Sequence, residues 1–153
     1  MDDPNAAPHT RGWLEVGPRA RTPARERVPV PDWFMREVLG PVLGDLQRPR
    51  PIEVVVELEP RDQGGLVWFS ERGQQGSFGL GISDPAEPRP ALLAEWADWL
   101  QEQFFPETYG AWGEARPECP GHPHPAQAIE RDSEAWWVCP TDGRPIAPIG
   151  HLH

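Results

Sequence analysis

The chain contains no lysine: all 14 of its basic residues are arginine. An arginine-only complement reads as genome composition rather than chemistry. The balance of charge matters more, because 24 acidic residues leave a net charge of −10. Binding to nucleic acid needs a basic footprint that displaces counterions from phosphates, and an anionic membrane makes the same demand. Neither is expected as a partner. Long apolar runs are missing too, and none approaches the roughly 20 residues that span a bilayer. Met1-Asp2-Asp3-Pro4 lacks the basic-then-apolar pattern of a signal peptide. A reducing cytoplasm is the expected compartment. Cysteine is scarce, with two in all. In such a compartment, two cysteines among histidines point to a metal rather than a disulfide.

Common signatures of catalysis are also lacking. There is no H-E-x-x-H helix, no H-x-E…C-x-x-C pair, no G-x-S-x-G elbow and no dinucleotide fingerprint. Gly76-Ser-Phe-Gly79-Leu-Gly81 is glycine-rich but reads as a strand, with no following helix to cradle a phosphate.

What is present is proline (21), glycine (15) and tryptophan (8), in a chain of 153 residues that is 38% hydrophobic. That length suits one domain with an appended module. Residues 1–31 hold six prolines and five arginines, with little apolar content beyond Trp13-Leu14 and Val16. This composition predicts a disordered or loosely attached arm, or a strap laid on the body through Trp13.

An α+β body is expected over residues 32–106: a three-stranded antiparallel meander covered by helices. Asp32 is the expected N-cap of a helix carrying Val38, Leu39, Val42, Leu43 and Leu46, and Gly40-Pro41 predicts a kink or two short helices. Ile52–Glu59 alternates apolar and acidic residues and predicts a strand. Turns at 60–65 and 73–76 separate it from strands at 66–71 and 77–83. A helix from Pro90, with Leu92, Leu93, Trp96, Trp99, Leu100 and Phe104 as its apolar stripe, is expected to cover the sheet and to stop at Pro106. Residues 107–116 read as a linker.

The remainder, 117–153, carries the chemistry. Cys119-Pro120-Gly121-His122-Pro123-His124 and Trp137-Val138-Cys139-Pro140-Thr141-Asp142-Gly143 each open a turn with Cys-Pro and include a glycine. Closely spaced thiolate and imidazole ligands on tight turns suit a tetrahedral zinc. Cys119, His122 and Cys139 are three candidate ligands. His124 is the nearest fourth, with Asp142, His151 and His153 as alternatives. The segment resembles a zinc ribbon over roughly residues 117–150, with His122 and Asp142 standing where the second cysteine of each C-P-x-C-G knuckle would be. It also resembles the C-terminal part of small bacterial proteins carrying C-P-x-H-x-H-P followed by W-x-C-P, a likeness that implies no activity.

Three functions follow as expectations. The first is a small acidic protein-interaction or adaptor module with a structural zinc. The second is a metal-dependent hydrolase with an open zinc position, Asp142 or Glu134 serving as base. The third is an acidic inhibitor or immunity-type protein that covers a basic partner.

Overall fold

The computed structural model describes residues 25–74 and 77–153. It is an α+β fold with two three-stranded antiparallel sheets, in strand orders β1-β2-β3 and β4-β5-β6, and two helical runs. The strands are β1 (Val54–Pro60), β2 (Gly65–Glu71), β3 (Phe78–Gly81), β4 (Gln127–Arg131), β5 (Glu134–Val138) and β6 (Pro145–Pro148).

Most of the arm expected over 1–31 lies outside the described residues. Within 25–31, Val28 exchanges backbone hydrogen bonds of 2.8 and 2.7 Å with Leu58, and Val30 is buried. This stretch therefore runs antiparallel along the free edge of β1.

The first helical run, 32–46, corrects one expectation and refines another. Asp32 is not the N-cap. It lies in the first turn, and Pro31 precedes it without a side-chain cap. Gly40-Pro41 does not divide the helix, because Met35–Leu39 widens into a π turn in which Gly40 N–H bonds to the carbonyl of Met35. Proline at 41 has no N–H to return, and the wider turn lets the preceding residue reach back five positions instead of four. The second helical run repeats the device. Arg89–Trp99 is α-helical, and Leu100–Phe104 is a π segment closed by Phe105 N–H on the carbonyl of Leu100, one residue before Pro106. Helical structure thus passes Pro106, continuing as a 3₁₀ turn through Phe105–Glu107.

The first sheet is the expected meander. Alternation along β2 turns Val67 and Phe69 fully inward, where the Phe69 ring meets those of Trp96, Trp99 and Phe104 at 5.9, 5.5 and 5.7 Å. Leu92, Trp96, Leu100 and Phe104 of the expected stripe are buried, while Glu95, Asp98 and Glu102 are exposed. On the sheet's outer face, Arg27 lies over Trp68 and pairs with Glu57, while Trp68 Nε1 donates to Glu59.

The second sheet packs against the second helix through β4 and β5. Of its strands, only β5 is expected from sequence, where Ala135-Trp136-Trp137-Val138 reads as a strand feeding the Cys139 turn. β4 and β5 are joined by Asp132-Ser133, both with positive φ (53° and 62°). The stretch expected as a linker is partly interior, with Thr108, Ala111 and Arg116 buried. Buried apolar side chains form one cluster, in which Ala128, Ala135, Trp137 and Ile149 of the C-terminal part join Phe34, Leu46, Phe69 and Trp96.

Candidate metal centre

The two Cys-Pro turns differ in detail and converge in space. Cys119–His122 is a four-residue turn closed by His122 N–H on the carbonyl of Cys119 at 3.0 Å. Pro120 and Gly121, the latter at φ +84°, occupy the positions where a type II turn requires proline-like and left-handed backbone. Cys139–Gly143 is one residue longer: Gly143, at φ +71°, donates to the Cys139 carbonyl at 2.8 Å. Each cysteine N–H is also engaged, Cys119 with the His124 carbonyl and Cys139 with the Arg144 carbonyl. Both cysteines are free thiols, buried at the ends of these turns.

The ligand atoms of Cys119, His122, His124 and Cys139 all lie within 4.8 Å of one another. His122 Nδ1 stands 3.4 Å from the sulfur of Cys119 and 3.4 Å from that of Cys139. A tetrahedral ion bound through sulfur at about 2.3 Å and nitrogen at about 2.0–2.1 Å places those atoms about 3.5 Å apart. The two sulfur–nitrogen edges that His122 makes therefore already have about the length that coordination requires. The cluster is capable of holding a metal ion.

The His124 tautomer follows from its neighbours. Its Nδ1 is 3.0 Å from the Pro125 carbonyl, which only accepts, so Nδ1 carries the proton and Nε2 the lone pair. A ligating imidazole is usually held this way, by a carbonyl on its other nitrogen. Nε2 receives the Thr141 hydroxyl at 3.0 Å, and the ring stacks on His122 with centroids 4.8 Å apart. Burial pushes the Cys119 thiol above its ordinary value, reinforced by the adjacent Cys139. Without a cation Cys119 keeps its proton, and a divalent ion is the charge that would replace it.

The alternative fourth ligands stand outside this cluster. Asp142 Oδ1 accepts from Arg144 N–H at 2.9 Å, and that bond, followed by one with Cys139, holds its carboxyl below the usual range. Glu134, His151 and His153 are exposed.

Sequence reasoning missed the residues that fasten the site to the body. Asp45, buried on the first helix, accepts from Trp137 Nε1 at 2.7 Å, Gly150 N–H at 2.5 Å and Leu152 N–H at 3.1 Å. Arg116 donates to the carbonyls of Leu46 and Arg50 at 3.0 and 2.9 Å and to Glu114. Gln101 donates to the carbonyls of Arg116 and Ala126. A lone aspartate near a helix end was the sole available clue for Asp45, and it carries no address for its partners.

Comparison with protein-family models, with curated proteins and with solved structures gives no match.

Proposed function

We propose that Cys119, His122, His124 and Cys139 hold one structural Zn²⁺, and that the protein acts in the cytoplasm as an acidic protein-interaction or adaptor module. The observation that carries this reading is the convergence of two buried thiols and two imidazoles within 4.8 Å. Two sulfurs and two nitrogens form a borderline-soft donor set that suits zinc over magnesium or calcium. Four protein ligands fill a tetrahedron and leave no position for a reactive water, which supports a structural over a hydrolytic role. Two knuckle-like turns feeding a three-stranded sheet support reading 117–150 as zinc-ribbon-like.

The adaptor role is supported by the surface. Tyr109 and Trp112, 78% and 79% exposed, are the large hydrophobic residues left open among the described residues. They lie beside the exposed Glu107 in a chain of net charge −10, which suits a basic protein partner whose association weakens with salt.

The test is the metal content of untagged protein purified without added zinc. About one zinc per chain, lost in Cys139→Ser, is expected from a four-ligand site. Metal-free, reduced, folded protein would overturn the zinc reading.

A further inference from the structure

A small cavity of about 40 Å³ opens between the end of β2 and the turn that follows the second helix, beside Tyr109. It has room for roughly three water-sized spheres, enough for the head of one side chain and well below the roughly 300 Å³ at which sites for free small molecules begin. Phe78, Phe104 and Tyr109 give it aromatic walls, and Glu71 and Glu107 supply two carboxyl groups. No arginine or histidine lines it among the described residues. Arg72, next to Glu71 in sequence, is paired instead with Glu53 at 2.7 Å.

The hydrogen bonds around the cavity leave it rich in acceptors. Glu71 accepts from Tyr109 N–H at 2.8 Å through Oε2 and from Gly110 N–H at 3.0 Å through Oε1. Thr108 donates both its N–H and its hydroxyl to the Phe105 carbonyl. The backbone donors of 108–110 and the Thr108 hydroxyl are therefore spent inside the protein. Each Glu71 oxygen keeps a second lone pair, and Glu107 stands exposed. Glu71 also fixes where Tyr109 stands. A Cβ at Gly110 would come within 3.0 Å of Glu71 Oε1 and of Ile52, so the turn approaches this closely because residue 110 is glycine.

Such a cavity offers negative charge and aromatic rings together. An ammonium answers the charge, whereas a guanidinium answers both: it is planar and weakly hydrated, with five N–H donors and no acceptor, and it stacks on rings while donating to carboxylates. The molecule uses this pairing on its own surface, where Arg27 lies 4.8 Å over Trp68 and bonds to Glu57 at 3.3 Å. We propose that the cavity receives an arginine side chain of the protein partner, its guanidinium between Glu71 and Glu107 and against Tyr109. The site gives a chemical identity to the basic partner of the adaptor reading, on which it rests, and owes nothing to the metal centre.

The test titrates the full ¹⁵N-labelled chain with acetyl-arginine amide at constant ionic strength, and with acetyl-citrulline amide, its uncharged isostere. Saturable shifts are expected at the Tyr109 and Gly110 amides, which report on Glu71. A dissociation constant on the order of 10 mM suits one cation–aromatic contact with partly exposed ion pairs. Citrulline should leave both amides still. Glu107→Gln and Tyr109→Ala, changes at exposed side chains, should each weaken the arginine response about two- to fivefold while the rest of the amide spectrum stays in place. Equal shifts with citrulline overturn the proposal, and so do indifference to both substitutions and arginine shifts spread evenly to the exposed Glu130 and Glu134. A saturable response at Trp112 with Tyr109 and Gly110 unmoved keeps a basic partner on the exposed aromatics and overturns the cavity alone. No saturable response at any of these residues overturns the cavity and removes the support that this loop lends to the adaptor reading.

Discussion

The two sheets share a design, three antiparallel strands in chain order, yet they are held in place by different means. The first brings its own core: Val67 and Phe69 are fully buried, and Phe69 alone touches three aromatic rings of the second helix. The second contributes mostly small buried side chains, Ala128 and Ala135, around one large one, Trp137. Its position is set by directional contacts instead: Asp45 gripping three donors, Gln101 bridging two carbonyls, and the Cys/His cluster tying one turn to the other. Burial by area is tolerant of exact placement, whereas polar and metal contacts are not. The region with the weaker apolar claim is therefore the one fixed most specifically.

Under the proposed zinc reading, metal removal breaks this comparison most severely. Structural zinc contributes on the order of 10–16 kcal/mol to the folding of small metal-dependent modules. That figure is an upper bound here, because Trp137 and Ile149 also belong to the shared core. With a chelator, or in Cys139→Ser, amide exchange is expected to accelerate across 117–150 while β1–β3 remain protected. Equal loss of protection in both sheets would show that they do not differ in what holds them.

The converse experiment is Trp96→Ala. Truncating a fully buried tryptophan costs about 3–5 kcal/mol. Trp96 meets both Phe34 and Phe69, so the loss is expected as a lower urea midpoint of the whole protein, with metal retained in the folded fraction. A cost under about 1 kcal/mol would mean that the first sheet does not depend on this cluster.

Asp45→Ala probes the junction. It strands three donors, one of them the buried indole N–H of Trp137, and a cost of about 2–3 kcal/mol is expected. Asp45→Asn keeps one accepting oxygen and is expected to lose less. Exchange at residues 147–152 should quicken in both variants before β1–β3 are affected. If alanine and asparagine behave alike, acceptance of these donors is not what the residue contributes.

The same contrast explains what could be read from the sequence. Ile52–Glu59, Leu66–Glu71 and the stripe from Leu92 to Phe104 announce themselves because a sheet or helix with one apolar face has a period, and the first half of the chain is built that way. The cluster was legible for a different reason: Cys-Pro turns put ligand-type residues at short separations, and short separations survive folding. β4 and β6 left no trace, since Gln127–Arg131 alternates weakly and Pro145–Pro148 is bounded by prolines. Asp132-Ser133 lacks the glycine that usually marks a tight hairpin. Pro41 signalled an irregularity in the first helix, but the form it takes, a π turn over Met35–Leu39, depends on a backbone choice with no sequence pattern of its own. Arg116 fell within a stretch that looked like a linker, and its burial depends on carbonyls at Leu46 and Arg50, far away in sequence.

The smallest expected effect sharpens the comparison through pH. Glu37 joins the two helical runs through Arg89 at 2.6 Å, and Glu114 serves Arg116 at 2.6 Å and Arg50 at 2.6 Å. A hydrogen bond from the arginine is the main reason each carboxyl sits below its ordinary 4.5, with burial opposing it and the arginine charges adding to it. A depressed native pKa means that the unfolded chain takes up the proton first. Each contact therefore stabilises fully above about pH 4.5, and that contribution is lost as pH falls through the lower native value. Glu37→Gln and Glu114→Gln should each flatten the acid limb of a urea-midpoint profile taken from about pH 6 to pH 3. At neutral pH they should part company. Arg89 is partly exposed and keeps the carbonyls of Pro85 and Glu87, so Glu37→Gln is nearly silent. Arg116 is buried, and Glu114 is the carboxylate that answers its Nε and one terminal nitrogen. Glu114→Gln should accordingly lower the neutral-pH midpoint and loosen the approach from Arg116 to Cys119, three residues further on. Equal neutral-pH costs for the two variants would show that burial of the arginine does not set the difference, and that the C-terminal region is fastened no more specifically than the helices.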